Sequence, residues 1–363
     1  MGDETLAAVE RELDAQIRTG SARFGELGAD HRRLWTAVSE ALRGGKRLRP
    51  RLLLVAHEGL GGTRTAAAAR TAAAVELLHT AFVIHDDVID GDHLRRGRLN
   101  VSGAFAGEAR EGHLPEPSVQ RYADAAGILA GDLALMTATR MIATCGVEQE
   151  IIGRLLDLLD EAVHTSATGE LADVRFGLGL ELEPVVGATV RVAALKTASY
   201  SFELPLRAAA VLADAPPATV AALGEIGHCL GVGFQLLDDL LGVFGDESRT
   251  GKSALSDLRE GKATALIAHA RSTPSWTALD GLVGDRRLDR SGAARARAAL
   301  TECGARTTVQ DLADHYLDRA LRIALRSGFS TTLADALTDI VDDIRTTATE
   351  ALVPAPTLTE EAS

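Results

Sequence analysis

The stretch Leu77-Leu78-His79-Thr80-Ala81-Phe82-Val83-Ile84-His85-Asp86-Asp87-Val88-Ile89-Asp90 decides the reading of the fold. Its apolar residues continue back through the alanines of 66–74 without a glycine or proline, so one long helix over 65–90 is predicted. The helix ends in three carboxylates. Asp86 and Asp90 are four residues apart, one turn, and share a face. No cation stands between them in the sequence, so their mutual repulsion calls for something positive. Hard oxygen donors with an open face suit Mg²⁺, which takes one or two carboxylates, keeps waters and completes its shell with phosphate. Arg95-Arg96-Gly97 follow, and their guanidinium forks match phosphate oxygens. Acids that hold metal beside bases that hold phosphate predict a diphosphate site.

A second acidic pair supports this. Asp238-Asp239 stands in Gly233-Phe234-Gln235-Leu236-Leu237-Asp238-Asp239-Leu240-Leu241-Gly242. An Asp-Asp pair in a helix is ordinarily a solvated face. Here apolar residues flank both pairs, and acids in such a setting need partners or metals.

Composition narrows the class. The chain has 363 residues, of which 46% are hydrophobic and 4% aromatic, with ten prolines. Alanine and leucine dominate, which favours helix. A net charge of −13 argues against a nucleic-acid partner. Against that background Arg43, Lys46, Arg47, Arg49 and Arg51 form a local basic cluster, as for a specific anion. Cys145, Cys229 and Cys303 are scattered, with neither metal nor disulfide spacing, so a reducing cytoplasm is expected. Met1-Gly2-Asp3-Glu4 carries no basic segment, so no signal peptide is expected. No unbroken run of 18 apolar residues occurs, so no transmembrane helix is expected.

Helical patterns are predicted near 5–20, 31–44, 50–60, 65–90, 121–145, 148–168, 171–178, 188–212, 218–244, 263–271, 291–303, 307–327 and 330–350. Gly103, Gly107, Gly112, Pro115 and Pro117 predict an irregular loop over 97–120. Residues 245–262 read as a polar loop with Lys252 and Lys262, and 353–363 as a disordered tail. The expected architecture is all-α, one large helical domain over 1–352.

Five segments in order now resemble one family. They are Gly44-Gly45-Lys46-Arg47-Leu48-Arg49-Pro50, Asp86 to Gly97, Gly131-Asp132-Leu133, Lys196-Thr197 and Phe234 to Asp239. Together they resemble the trans-isoprenyl diphosphate synthases, also called polyprenyl synthetases. The resemblance implies the isoprenoid synthase fold, with two aspartate-rich helices facing each other across a central active-site cavity. It implies a prenyltransferase that condenses isopentenyl diphosphate with an allylic diphosphate by ionisation, condensation and elimination. It also implies three Mg²⁺ ions and a homodimer.

By this resemblance Asp86 and Asp90 bridge two Mg²⁺ ions and Asp238 holds the third. Arg95, Lys196 and Lys252 grip the allylic diphosphate. Lys46, Arg49, His79 and Arg96 hold isopentenyl diphosphate. Thr197 and Gln235 line the site near the developing cation, and Lys262 closes a loop over the pocket to exclude water. One departure stands out: Gly242 occupies a place where the family has an aspartate. Asp246, one turn later, is the expected compensation, and Gly242→Asp is expected to be mild. Asp132 fits either the site or a helix cap.

Phe82 and Leu78, one and two turns before Asp86, with Ala81 beside Phe82, are the expected floor under the growing chain. One ring points to a twenty-carbon product, geranylgeranyl diphosphate, with farnesyl diphosphate synthase as the alternative. A class I terpene cyclase would need a different second metal motif and no basic 44–50 segment. A non-catalytic subunit of a heteromeric synthase would be expected to lose the first motif, which is complete here.

Overall fold

The predicted helix over 65–90 forms with those bounds. The computed structural model describes residues 3–180, 185–246, 249 and 255–352, which are helical almost throughout. In chain order the helices are α1 (Asp3–Arg23), α2 (Ala29–Ala41), α3 (Leu48–Gly59), α4 (Thr65–Asp90), α5 (Val101–Glu111), α6 (Glu116–Ala143) and α7 (Gln149–Gly177). Then come α8 (Val186–Ala193), a π-helical segment (Ala194–Glu203), α9 (Leu204–Leu212) and α10 (Pro217–Phe244). Shorter and longer helices finish the chain: α11 (Ser256–Glu260), α12 (Ala265–Arg271), α13 (Trp276–Leu279), α14 (Arg290–Glu302), α15 (Ala305–Arg326) and α16 (Thr331–Leu352).

The chain divides into two compact units. One comprises Met1–Ala162 with Leu204–Gly224; the other comprises Val163–Glu203 with Glu225–Ser363. In the first, α4 packs against α1, α3, α6 and α9. Its alanines at 67–69 and 72–74 are buried, as are Leu77, Leu78, Ala81 and Ile84. Small residues bring neighbouring helix backbones close, and each fully buried leucine or isoleucine contributes roughly 1.5–3 kcal/mol. In the second unit α12 packs on α15, and α15 on α14 and α16. There the rings of Phe202 and Phe234 lie 5.4 Å apart between centroids.

Two expectations need correction, and one sequence criterion needs a qualification. The loop over 97–120 is instead α5 and the start of α6. Asn100 caps α5 by accepting from the Gly103 amide at 2.8 Å, and Pro115 and Pro117 flank the first turn of α6, where a missing N–H costs nothing. The helices expected at 148–168 and 171–178 are one, α7. Finally, α4, α6 and α10 are long and apolar enough to cross a membrane by length and composition, although 78%, 44% and 56% of their apolar windows are buried inside the protein. The sequence criterion asked for an unbroken run, whereas the average over an alanine-rich window tolerates an occasional charge.

Candidate active site

In the first unit the segment 44–49 makes a left-handed turn into α3. Gly44, Gly45 and Arg47 have φ of 82°, 93° and 49°. Glycine carries that backbone without a Cβ penalty. The guanidinium of Arg96 rests on this turn: Nη1 would lie 3.5 Å and 3.4 Å from a Cβ at Gly44 and Gly45. Arg96 is aimed there by a two-stranded hairpin, in which Leu94 pairs with Leu99 and Arg95 with Arg98. Arg96 and Gly97 have φ of 53° and 72°, the two positive values of a type I′ turn. Adjacent arginines thus serve different places.

Half-buried His79 on α4 feels Arg49, Arg95, Arg96 and Arg47. Burial first, and then these four cations, push its imidazole well below the ordinary value of 6.5, so it is neutral at pH 7. Lys46 is exposed on the turn and Arg49 is half-buried at the start of α3. Arg47 is committed elsewhere. It pairs with buried Glu76 at 2.9 Å and Glu10 at 2.6 Å, and donates to the Leu42 carbonyl at 3.0 Å. It ties α1, α2 and α4 to α3.

At the C-terminal end of α4, Arg95 Nη2 lies 2.6 Å from Asp87 Oδ1 and 3.4 Å from Asp86 Oδ2. A cation therefore meets the first acidic cluster, and the hairpin folds it back from nine residues beyond Asp86. Burial pushes the Asp87 carboxyl up, against the pull of Arg95. Asp86 is half-buried and Asp90 exposed. Asp132 caps nothing: it lies in the middle of α6, with Oδ1 3.5 Å from His85 Nε2. At the neighbouring Gly131 a Cβ would meet the His85 ring, which would have to shift.

Of the expected floor, Leu78 and Ala81 have no exposed surface, while Phe82 is partly accessible. Phe82 shares the helix face of Asp86 and Asp90, and the other two pack inward.

In the second unit Lys196 and Thr197 sit in the π-helical segment. Such segments displace side chains from the regular helical positions and recur at functional sites. Lys196 Nζ lies 3.0 Å from Glu170 and 2.8 Å from Asp173, both on α7. Thr197 donates to Gln235 Oε1 at 2.8 Å, and Gln235 Nε2 donates to Asp239 Oδ1 at 2.9 Å. Asp239 is 6% exposed, and burial pushes its carboxyl up to about 7 despite Lys262 and Gln235. Lys262 Nζ lies 4.0 Å from Asp239 Oδ1. Burial works against its charge, but Asp239, Asp257, Asp173 and Asp238 together hold it protonated.

Gly242 also needs a revised reading. A Cβ at Gly242 would collide with Asp257 Oδ2 and lie 2.6 Å from its Cγ. Gly242→Asp therefore requires the Asp257 carboxylate to move aside. Asp246, the expected compensation, directs its amide to the Ala351 carbonyl at 2.9 Å.

Glu170, Asp173 and Asp257 were not singled out by the sequence. Each is an ordinary acid in a polar helix or loop, and its role appears only where packing brings it to Lys196, Lys262 or Gly242. Lys252 lies outside the described residues. Among the described residues no group of three His, Cys, Asp or Glu side chains forms a ready metal cage. Paired carboxylates such as Asp86 and Asp90 still fit Mg²⁺, which accepts few protein ligands when phosphate oxygens supply the rest.

The family model described as Polyprenyl synthetase matches residues 31–300. The chain belongs to the polyprenyl synthetase family. Geranylfarnesyl diphosphate synthase of Aeropyrum pernix is 33% identical over 78% of this polyprenyl synthetase and 84% of its own length. Geranylgeranyl diphosphate synthase of Sulfolobus acidocaldarius is 34% identical over 62% of each chain. Among solved structures, the geranylgeranyl pyrophosphate synthase of Corynebacterium glutamicum, complexed with isoprenyl diphosphate and magnesium, superposes with a TM-score of 0.84. It is 26% identical and covers 97% of this chain and 99% of its own. The all-α isoprenoid synthase fold follows.

Proposed function

We propose that this polyprenyl synthetase condenses isopentenyl diphosphate with an allylic diphosphate and releases a medium-chain product, geranylgeranyl diphosphate. The observation that carries the reading is the separation of charge along α4. His79 stands in a nest of arginines, and two and three turns on, Asp86 and Asp90 present carboxylates on one face. The nest suits a diphosphate that needs no metal, and the acids suit one that arrives with metal. The relatives' names differ in chain length, so the choice of twenty carbons rests on Phe82.

Lys46, Arg49, His79 and Arg96 bind isopentenyl diphosphate in this reading, with Arg96 positioned by the type I′ turn. Arg95, Lys196 and Lys252 take the allylic diphosphate. Arg95 and Lys196 already bear on carboxylates, so the incoming anion competes for them. Asp86, Asp90 and Asp238 would hold three Mg²⁺ ions, which supply the charge neutralisation that makes diphosphate a leaving group. Gln235 and Thr197, fixed by their mutual hydrogen bond, present dipoles near the developing cation. Lys262 helps keep water from the pocket. We place the enzyme in the cytoplasm as a homodimer; Ile128, Leu129 and Met136, exposed on α6, support a covered face.

The test is incubation of the purified protein with isopentenyl diphosphate, Mg²⁺ and allylic primers of ten and fifteen carbons. Chromatography of the dephosphorylated products should show a dominant twenty-carbon alcohol. A cyclised hydrocarbon would favour a terpene cyclase, and no elongation with any primer would end the proposal.

A further inference from the structure

Glu203 is the last residue of the π-helical segment, and its carboxylate reaches α10, where Oε1 lies 3.2 Å from His228 Nδ1. The segment meets α10 a second time, because Thr197 donates to Gln235 Oε1 at 2.8 Å. Thr197 and Glu203 are six residues apart, and His228 and Gln235 seven, about two turns of α-helix. The two bonds therefore tie the segment to α10 at two levels, with the chains running in opposite directions. Between them the backbones touch: a Cβ at Gly231 would overlap Ala198, and one at Gly227 would lie 2.7 Å from Glu203 Cα. The His228 ring is also met edge-on by Tyr316 of α15, at 6.5 Å between centroids. A π turn is rare and persists where its surroundings over-determine it. Here close packing sets how near the segment lies to α10, and the two polar bonds set where along α10 it lies. The side chains of His228 and Glu203 are 43% and 23% exposed, so their pairing adds little to global stability and acts locally.

We propose that His228 is a positioning residue for the allylic diphosphate: through Glu203 it fixes the far end of the π-helical segment and so the placement of Lys196 and Thr197. It touches no substrate. With the His228–Glu203 bond in place, the segment is held at both ends and Thr197 meets Gln235 in one register. Without it, only the Thr197–Gln235 bond holds the register, and Lys196 and Thr197 sample several placements. The proposal rests on the synthase reading, which gives Lys196 the allylic diphosphate.

Four variants test it: His228→Leu, His228→Asn, Glu203→Ala and the double variant His228→Leu/Glu203→Ala. The readouts are KM for each substrate, kcat, the melting temperature, and the Kd of geranyl thiodiphosphate with Mg²⁺ by calorimetry. That sulfur-bridged analogue resists ionisation, so its binding needs no turnover. His228→Leu removes the donor. A misplacement of 1 Å can cost about 100-fold, and loosening one end of the segment should raise allylic KM and analogue Kd about 3–10-fold. KM for isopentenyl diphosphate and the melting temperature should stay near wild type. Glu203→Ala should do the same from the other partner, and it carries the test if His228→Leu does not fold. His228→Asn keeps a donor near the place of Nδ1 and should behave nearly as wild type. The double variant should be no worse than either single one, because the two side chains act as a unit. Wild-type allylic KM and analogue Kd in folded His228→Leu or Glu203→Ala overturn the proposal. So does an equal rise in both KM values, or a defect that His228→Asn shares, which would make the ring a packing group against Tyr316. If the wild type makes no prenyl diphosphate, the synthase reading has failed; if it does and the single variants match it, only this inference has.

Discussion

Arg95 spans two neighbouring acids unequally, at 2.6 Å from Asp87 and 3.4 Å from Asp86. Asp87 is its structural partner, and Asp86 is left more open to a metal. Removing each should therefore do different things. Asp86→Ala should lower turnover roughly 100-fold or more and leave the melting temperature nearly unchanged. Asp87→Ala strands a partly buried arginine and should cost about 3 kcal/mol, the low end for breaking a buried pair because Arg95 keeps some solvent contact. Thermal melts beside steady-state rates separate the two, and a near-normal rate for folded Asp86→Ala would remove that residue from the site.

Arg49 and Arg47 belong to one basic run but should divide in function. Arg49→Ala should raise KM for isopentenyl diphosphate about tenfold or more, since a charge-assisted contact is worth roughly 1.5–3 kcal/mol, with a smaller change for the allylic substrate. Arg47→Ala should instead lower the melting temperature, because buried Glu76 loses its cation. Equal effects of Arg49→Ala on the two substrates would contradict its assignment.

His79 gives the fold a pH dependence of definite sign. Burial and then the neighbouring arginines hold its pKa in the folded protein well below the ordinary 6.5, so the unfolded chain binds the extra proton first. Its contribution to stability is complete above about pH 6.5 and declines as acid is added. Denaturant unfolding at pH 7.5 and 5.5 should show a smaller loss for His79→Gln than for wild type. An identical loss would mean that His79 does not titrate across this window.

Phe82 should set product length. Phe82→Ala opens about one turn of helix, 5.4 Å, and should yield a longer alcohol than wild type with activity largely kept. Since Phe82 is only partly buried, the stability cost should stay below the roughly 3–5 kcal/mol of a core phenylalanine. An unchanged product with a lower melting temperature would make it a packing residue.

The sequence shows α4 almost completely because its apolar run, its acids and its glycine stop at Gly91 all agree. It misleads at 97–120, where Gly103 and Pro117 look like breakers. Gly103 is there because a Cβ would strike the His93 carbonyl, and Pro117 sits where a helix has an N–H to spare. Gly169 splits α7 on paper for the same reason: the backbone of Leu195 and Lys196 passes over it. A glycine that permits contact and one that ends a helix read alike until the neighbour is seen. The site divides similarly. Asp86, Asp238 and Arg96 announce themselves by motif, whereas Asp257 becomes visible only through the gap at Gly242.

The π-helical segment from Ala194 to Glu203 carries one further consequence. A π stretch holds more residues per turn than an α-helix, so it offsets the phase of its own side chains from that of α8. Each α-helical residue advances about 100° around the axis. Deleting a single residue near Lys196 would let the chain relax into continuous α-helix. Lys196 or Thr197 would then swing by about a quarter turn relative to α8. Length, as much as residue type, is under constraint here: a substitution can spare the orientation of these two side chains, while a one-residue deletion cannot.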